Sequence, residues 1–401
     1  LSLVPPASQL FAQGAELLTP TAIPVFEPLQ NEDYGYRLDI PSAWQLVDAS
    51  DMRVITFASP DGSAAAQIMV FEGLDQYQFD SVQGMNDLLI ERIGGQLLDA
   101  AAYRYARRDA ILADVEFQIG EAPVRGYLIS IHDPVMPTAI MAYVKSEKYE
   151  AYHDFLVSML DSVSLDGAGD GLPGPISQFY WPFDWGPSAP ESDNSKQIEL
   201  EILGTKQPIA IDINQAEASQ VVIDREARVL SAYAGNRAPR ELQEIAWERF
   251  FRMIYRDVYA RLAPVADAWR SAASESETPR EELPQAILSW LQGFDYDRPG
   301  GSADFLNPLD TLAESRGDCD SLVLLYAVLL DQLGFDSIIM VSTVHGHALA
   351  AVDVPGEGAR FPFAGREWLV AELTAPVKLG MIDAQMADPA DWMGFVFQRG
   401  Y

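Results

Sequence analysis

Residues 317–335 read GDCDSLVLLYAVLLDQLGF, and this stretch decides the fold of the C-terminal half of the chain. The strongly apolar run over residues 321–333 ends at Gly334, which is the pattern of a buried helix with a glycine C-cap. Cys319 therefore lies at the N-terminus of the predicted helix. The unpaired backbone amides and the positive end of the helix dipole lower the pKa of a thiol at that place. We expect Cys319 to be a partly exposed and activated thiol.

The chain has one cysteine, so it contains neither an internal disulfide nor a cysteine-cluster metal site. Asp318 and Asp320 flank Cys319, and as unpaired carboxylates they would oppose formation of the thiolate. They could instead cap the helix or hold a cation. Two adjacent carboxylates fall short of the about six to eight oxygen ligands that calcium takes. We therefore predict no cofactor, with calcium at these two aspartates as the alternative.

Two further segments supply polar groups at the ends of predicted strands. A β-rich run over residues 336–343 leads into HGHALAAV at 345–352, and EWLVAE follows at 367–372. Adjacent strands of this kind bring His347 and Glu372 to the tip of the cysteine helix. Alternation along the strand also puts both histidines of the HGH motif on one face.

Nucleophilic catalysis by a thiol requires a base within hydrogen-bond reach and a third group that fixes the tautomer of the base. The sequence predicts Cys319 as the nucleophile, His347 as the base and Glu372 as the orienting carboxylate. His345 is expected to flank the cleft.

The blocks GDCDSLVLLYAVLLDQLGF, GHALAAV and WLVAELTAP resemble, in order and context, those of the transglutaminase-like superfamily. The lead-in FLNPLDTL at residues 305–312 is similar to that of the bacterial transglutaminase-like cysteine proteinases. In that group the acidic residues beside the cysteine can serve calcium. The resemblance implies a papain-like α+β core and gives Cys319, His347 and Glu372 the same three roles. Glu372 stands where the family usually has Asp.

We expect a cysteine-dependent enzyme that cleaves a peptide or amide bond through a thioester, with the backbone amide of Cys319 in the oxyanion hole. The resemblance is closest to the proteinases, which favours hydrolysis. Two alternatives stay open: a catalytically silent peptide-binding or scaffold module, and a protein cross-linking transglutaminase. The oligomeric state also stays open.

The formal charge of −32 comes from 59 acidic and 27 basic residues and argues against binding to nucleic acid or anionic membranes. A polypeptide substrate is expected to be basic or neutral near the cleaved bond. No apolar run reaches the about 18 to 20 residues of a membrane-spanning helix. Residues 1–13, LSLVPPASQLFAQ, resemble the tail of a secretory signal and predict an extracytoplasmic location, periplasmic or secreted. The alternative is a disordered chain end.

Residues 33–166 alternate apolar and polar side chains in strand-like segments, with helical spacing over 79–93 and 149–163. This order predicts an antiparallel sheet with helices packed against it. The segments GYRLDIPSAWQL and EAYHDFLVSMLDSV resemble the ends of the PsbP-like family of small extracytoplasmic domains. The stretch carries no catalytic motif, and His132 and His153 are expected to be structural or surface residues.

The predicted organisation is α+β in both halves. It consists of an N-terminal extension (1–32), a PsbP-like domain (33–166), a Gly/Pro-rich linker (167–196) and a transglutaminase-like thiol domain (197–401). Within the thiol domain, a strand pair is expected over 197–213 and helices over 238–273 and 279–291.

Overall fold

The computed structural model describes residues 26–51, 53–73, 79–165, 172–180, 195–234, 240–298 and 305–397. The signal-like segment 1–13 and most of the predicted linker lie outside the described residues. The chain forms two compact units. The first comprises Leu1–Ala168, Gly174–Ala189 and Arg228–Ala246, and the second comprises Gly169–Pro173, Pro190–Ala227 and Trp247–Tyr401.

The described residues of the first unit form strands and helices in the predicted mixed order. The strands are β1 (Phe26–Asn31), β2 (Tyr36–Pro41), β3 (Gln45–Asp51), β4 (Val54–Ala58), β5 (Ala64–Val70), β6 (Gln96–Tyr105), β7 (Arg108–Ile119), β8 (Ala122–His132), β9 (Thr138–Lys145) and β10 (Ser164–Leu165). The helices are α1 (Val82–Arg92), α2 (Tyr149–Asp161) and α3 (Pro175–Tyr180), with a 3-10 turn at Ser146–Lys148.

Seven strands form one antiparallel sheet in the order β3-β4-β5-β9-β8-β7-β6, and β1-β2-β10 form a second sheet. Alternate side chains of the large sheet enter two separate cores. Met69 and Met141 pack with Met85 of α1, whereas Ile68 and Ile140 belong to the core that contains residues of α2. The expected antiparallel sheet with helices against it is confirmed, and helices cover both of its faces.

The described residues of the second unit begin with a hairpin and continue into helices and a second sheet. The strands are β11 (Ser195–Ile202), β12 (Thr205–Asp212), β13 (Asp295–Tyr296), β14 (Arg316–Gly317), β15 (Ser337–Ser342), β16 (His347–Val352), β17 (Arg360–Phe363), β18 (Arg366–Ala371) and β19 (Met393–Phe395). The helices are α4 (Ile213–Ala234), α5 (Arg240–Tyr259), α6 (Ala263–Glu275), α7 (Leu283–Leu291), α8 (Pro308–Glu314) and α9 (Cys319–Gln332), and α4 and α5 contribute residues to both units. Short 3-10 turns occupy Ala260–Leu262, Arg280–Glu282, Ala384–Met386 and Pro389–Asp391.

Helix α9 confirms the element predicted from the apolar run. It begins at Cys319, and Gly334 just beyond its end has a φ of +84°, in the left-handed region that favours glycine. The helix packs against β15 and β16 of the antiparallel sheet β17-β18-β16-β15-β19. The described residues contain no helix long and apolar enough to cross a membrane.

The structure departs from the sequence prediction at α4, a helix of 22 residues in a stretch for which no element was predicted. Its buried positions mix the apolar Ala216, Ile223 and Val229 with the polar Ser219 and Glu226. This mixture weakens the apolar periodicity from which a helix is inferred. The predicted linker likewise contains the buried start of α3, and β1 begins before residue 33. The predicted domain limits stay a prediction.

Candidate functional site

Asp318 caps the helix that carries the thiol. Its Oδ1 accepts hydrogen bonds from the backbone nitrogen of Ser321 at 2.9 Å and from the hydroxyl of Ser321 at 2.6 Å. Both residues are fully buried. Asp318 thus has one of the two roles expected for it, since an aspartate at the N-cap satisfies amides that the helix leaves unpaired.

The Cys319 thiol is buried, with 1% of its surface exposed, so the expectation of partial exposure is wrong. Its Sγ lies 3.7 Å from Oδ2 of Asp320, to which it donates. Burial and, next, the charge of Asp320 together raise the pKa of Cys319 to about 12, although the backbone N–H of Ala348 acts in the opposite direction. Activation by the helix N-terminus is therefore not seen, because burial and a neighbouring carboxylate outweigh the dipole.

Asp320 lies within electrostatic reach of several other groups of the site. Burial and, next, the charge of Asp318 together raise its pKa to about 7, while the hydrogen bond from Cys319 and the charges of Arg298 and His347 act in the opposite direction. The donor atoms of Asp318, Cys319 and Asp320 lie within 4.8 Å of one another. Three consecutive residues, one of them engaged as a helix cap, fall short of the oxygen cage that calcium requires.

His347 and Glu372 meet at one edge of the second sheet. Strand β16 begins at His347 and the antiparallel β18 ends just before Glu372, with Ala350 opposite Ala371. The start of one strand therefore lies beside the end of the other. Nε2 of His347 is 2.9 Å from Oε2 of Glu372. The sequence prediction placed these two residues together for the same reason.

Glu372 is held on every side and is 5% exposed. Its Oε1 accepts hydrogen bonds from the backbone nitrogen and the hydroxyl of Thr374, both at 2.7 Å. Gln292, which follows α7, donates to the backbone oxygen of Glu372 at 2.8 Å and to that of Val377 at 2.9 Å. Burial raises the pKa of Glu372, but hydrogen bonds from His347 and Thr374 outweigh it and leave that pKa below its ordinary value. Glu372 thus stays ionised and can support a positive charge on the imidazole.

The structure brings the three predicted residues to one region, because α9 packs on the strand that begins with His347 and the amide of Ala348 acts on the sulfur. Glu372 engages Nε2 of His347, which leaves Nδ1 as the nitrogen able to serve a thiol. In the described contacts Cys319 and His347 share no hydrogen bond, since the thiol donates to Asp320. The arrangement therefore has the parts of a thiol site with the thiol itself covered.

The two histidines of the N-terminal half lie apart from these residues in sequence and contact other groups. Nε2 of His132 donates to the carbonyl oxygen of Phe79 at 2.9 Å, and Nε2 of His153 lies 3.1 Å from the hydroxyl of Tyr127. These contacts suit the structural roles expected for both.

Sequence reasoning missed Tyr296 and Arg298, which interact electrostatically with groups of the site. Strand β13 pairs in parallel with β14, so that Tyr296 is opposite Gly317, and the backbone nitrogen of Asp297 donates to the oxygen of Gly317 at 3.1 Å. Burial raises the pKa of Tyr296, followed by the charge of Cys319. The tyrosine is 53% exposed. A two-residue strand has no periodicity, so no sequence signal indicated that β13 belongs to the site.

Sequence reasoning also missed Asp391 and Trp392. Nε2 of His345 lies 3.0 Å from Oδ2 of Asp391. The ring of Trp392 lies 5.8 Å from that of His345 and 6.3 Å from that of His347, between centroids. Strand β16 begins at His347, so His345 lies in the turn before it and not on the strand as predicted, but both imidazoles contact the same indole.

Comparison with known proteins gives only loose structural likenesses. No protein-family model matches the sequence, and no curated protein is significantly similar to it. The chain is similar to cyanobacterial PsbP from Synechocystis sp. PCC 6803, with a TM-score of 0.31 and 9% identity over 38% of this chain and 97% of that one. Structural comparison thus links the N-terminal part of the chain loosely to PsbP.

Two other solved structures match at still lower TM-scores. A protein of unknown function from Pseudomonas aeruginosa has a TM-score of 0.22 and 15% identity over 32% of this chain and 89% of that one. A protein from Bacteroides thetaiotaomicron has a TM-score of 0.23 and 12% identity over 63% of this chain and 80% of that one. Similarity at this level says nothing about function.

Proposed function

We propose that the C-terminal unit is a papain-like domain of the transglutaminase-like kind, which hydrolyses a peptide or amide bond through a thioester on Cys319. The observation that carries the proposal is the 2.9 Å pair of His347 with a buried, ionised Glu372, next to the only cysteine of the chain. A carboxylate that is fixed by Thr374 and set against one imidazole nitrogen is the arrangement that a thiol base requires.

In the proposed reaction Nδ1 of His347 takes the thiol proton, and the sulfur attacks the carbonyl carbon of the substrate. The backbone amide of Cys319 binds the oxyanion that forms. The tetrahedral intermediate collapses to a thioester, and the leaving amine takes the proton from His347. A water molecule then gives a proton to Nδ1 and attacks the thioester, which releases the acid and restores the thiol. Glu372 stabilises the imidazolium in both halves of the cycle.

The thiol is in a resting state in this proposal. With a pKa of about 12, Cys319 is protonated near neutral pH and bound to Asp320. A substrate that enters beside the exposed Tyr296 would have to displace that hydrogen bond before His347 can take the proton. The formal charge of −32 favours a basic or neutral polypeptide. Attraction between one substrate cation and one site carboxylate at about 4 Å contributes roughly 1 kcal/mol in water.

Turnover of a peptide library tests the proposal. The expected result is release of new termini, an intact-mass adduct on Cys319 that hydroxylamine removes, and no turnover by Cys319→Ala. His347→Gln should lower kcat/KM by about 10² to 10⁴-fold, the typical contribution of a positioned base. His153→Gln, a histidine paired with Asp154 in the first unit, is the matched control and should retain activity. Turnover by Cys319→Ala equal to that of the wild type would refute the proposal. Added primary amines distinguish cross-linking from hydrolysis by the products.

A catalytically silent peptide-binding module is the second candidate, and the burial of Cys319 favours it. In that case the cleft clasps a peptide and the thiol is a core residue. Peptide binding would then be equal in the wild type and in Cys319→Ala, with no adduct on the thiol in either.

An extracytoplasmic location, with a PsbP-like N-terminal domain, is part of the same proposal. It is supported by the signal-like residues 1–13 and by the PsbP-like segments GYRLDIPSAWQL and EAYHDFLVSMLDSV of the sequence. Cell fractionation against periplasmic and cytoplasmic marker proteins would test it, and recovery with the cytoplasmic markers would contradict it.

A further inference from the structure

The strand β19 brings an indole ring to the predicted base. It pairs antiparallel with β15, with Met393 opposite Val341. Trp392 therefore lies beside the end of β15, where the turn that carries His345 and leads to His347 begins. The indole is 2% exposed and contacts both imidazole rings.

The indole is fixed by contacts other than those with the histidine rings. Its Nε1–H donates to the carbonyl oxygen of Met386 at 2.9 Å. The backbone nitrogen of Trp392 donates to the carbonyl oxygen of Pro389 at 3.3 Å. Asp391, the residue before it, lies 3.0 Å from the ring of His345. Trp392 therefore holds its place whatever the orientation of His347.

The fixed indole of Trp392 can orient the imidazole ring of His347. In the part of the chain that the structure describes, the one hydrogen bond of its side chain is the contact with Glu372. A ring held by a single hydrogen bond can still rotate about the axis of that bond, and this rotation would carry Nδ1 away from the thiol. The ring planes of His347 and Trp392 meet at 65°, an edge-to-face contact that opposes this rotation.

We propose that Trp392 is a positioning residue for His347, and that the His345–Asp391 pair holds Trp392 in place; its role in the reaction rests on the thiol chemistry proposed above. Trp392 fixes the plane of the imidazole while Glu372 fixes Nε2. The two together define the direction of Nδ1.

The test compares Trp392→Leu with Trp368→Leu. Trp368 is a matched control because it is 3% exposed, belongs to the same apolar cluster and donates its Nε1–H to the carbonyl oxygen of Phe363 at 2.9 Å. In the described ring contacts it touches no histidine. Both variants lose a buried indole and should lose similar stability in urea unfolding.

The readout is the nuclear magnetic resonance of ¹⁵N-labelled histidine, which is simple because the chain has four histidines. The spectrum of His347→Gln assigns the resonance of interest. We expect Trp392→Leu to broaden or shift the Nε2–H signal of His347, whereas Trp368→Leu leaves that signal unchanged. Trp392→Phe, which keeps an aromatic edge, should restore the signal. Equal changes in both leucine variants, or none in either, would overturn the proposal.

Asp391→Asn is a second test that should not disturb folding, because it keeps the buried indole and weakens only the pair with His345. It should give a smaller change of the same kind, and an unchanged signal would refute the part assigned to that pair. If peptide turnover is found, Trp392→Leu should lower kcat/KM by about 10²-fold, as a misplacement of a catalytic group by about 1 Å can, and should shift the pH profile. The spectra need no substrate, so absence of turnover in the wild type would refute the proposed function while the spectra still decide the role of Trp392.

Discussion

We predict that iodoacetamide labels Cys319 at least about 50-fold more slowly in the folded protein than in the urea-unfolded chain. The pKa of about 12 in the folded state compares with about 8.5 for an ordinary cysteine. At about pH 8 the thiolate, which is the reactive form, is then roughly 2 × 10³-fold less populated in the folded protein. The higher intrinsic nucleophilicity of a more basic thiolate restores roughly 40-fold of this. The difference is a lower limit, because the sulfur is also covered.

The assay follows the intact mass of the native and the urea-unfolded protein between about pH 7 and pH 10. One cysteine in the chain makes the adduct unambiguous. The rate should level off above about pH 9 in urea, as an ordinary thiol becomes fully ionised, and should go on rising about tenfold per pH unit in the folded protein. Asp320→Asn removes a charge that raises the pKa of Cys319 and should label faster than the wild type. A folded-state rate within about tenfold of the unfolded rate, or one that levels off near pH 8.5, would refute this reasoning.

Three further predictions concern the first unit. Burial raises the pKa of Asp61, but hydrogen bonds from Lys148 and two serines outweigh it and hold that pKa at about 2, against 3.8 ordinarily. Asp61→Asn should therefore lower the free energy of unfolding by about 2 kcal/mol above about pH 4. In urea titrations this loss should vanish as the pH falls towards about 2. Gly126→Ala should cost about 3 kcal/mol or more, because the new Cβ would lie 2.0 Å from the backbone oxygen of Ala142 in the neighbouring strand, and an unchanged urea midpoint would contradict this. Gly84→Ala in α1 meets only an ordinary contact at 3.5 Å and should instead stabilise by about 0.5 to 1 kcal/mol in the same assay.

Local pattern was enough to predict α9 and the meeting of His347 with Glu372. A helix with a capping aspartate and a C-terminal glycine is determined by a few consecutive residues, and two adjacent antiparallel strands bring their opposite ends together. The state of the thiol was not accessible in this way. Cys319 lies on a helix that packs against β15 and β16, which are remote from it in sequence, whereas the dipole argument used only the helix itself. Trp392 is likewise remote in sequence from the HGH motif, and no pattern near that motif predicted its contact with the two histidines.

The hydrogen bonds of Gln292 indicate how sequences related to this chain can be recognised. Its amide group donates to the backbone oxygens of both Glu372 and Val377, so the end of a helix fixes the loop that carries the carboxylate. Glutamate at this position would present oxygens instead of donors to those carbonyls, and asparagine would be too short to span both. Divergent sequences that keep this loop geometry should therefore retain glutamine at the helix end. A search profile that includes this amide together with the thiol, imidazole and carboxylate blocks would separate true kin of this domain from chance matches to three short motifs.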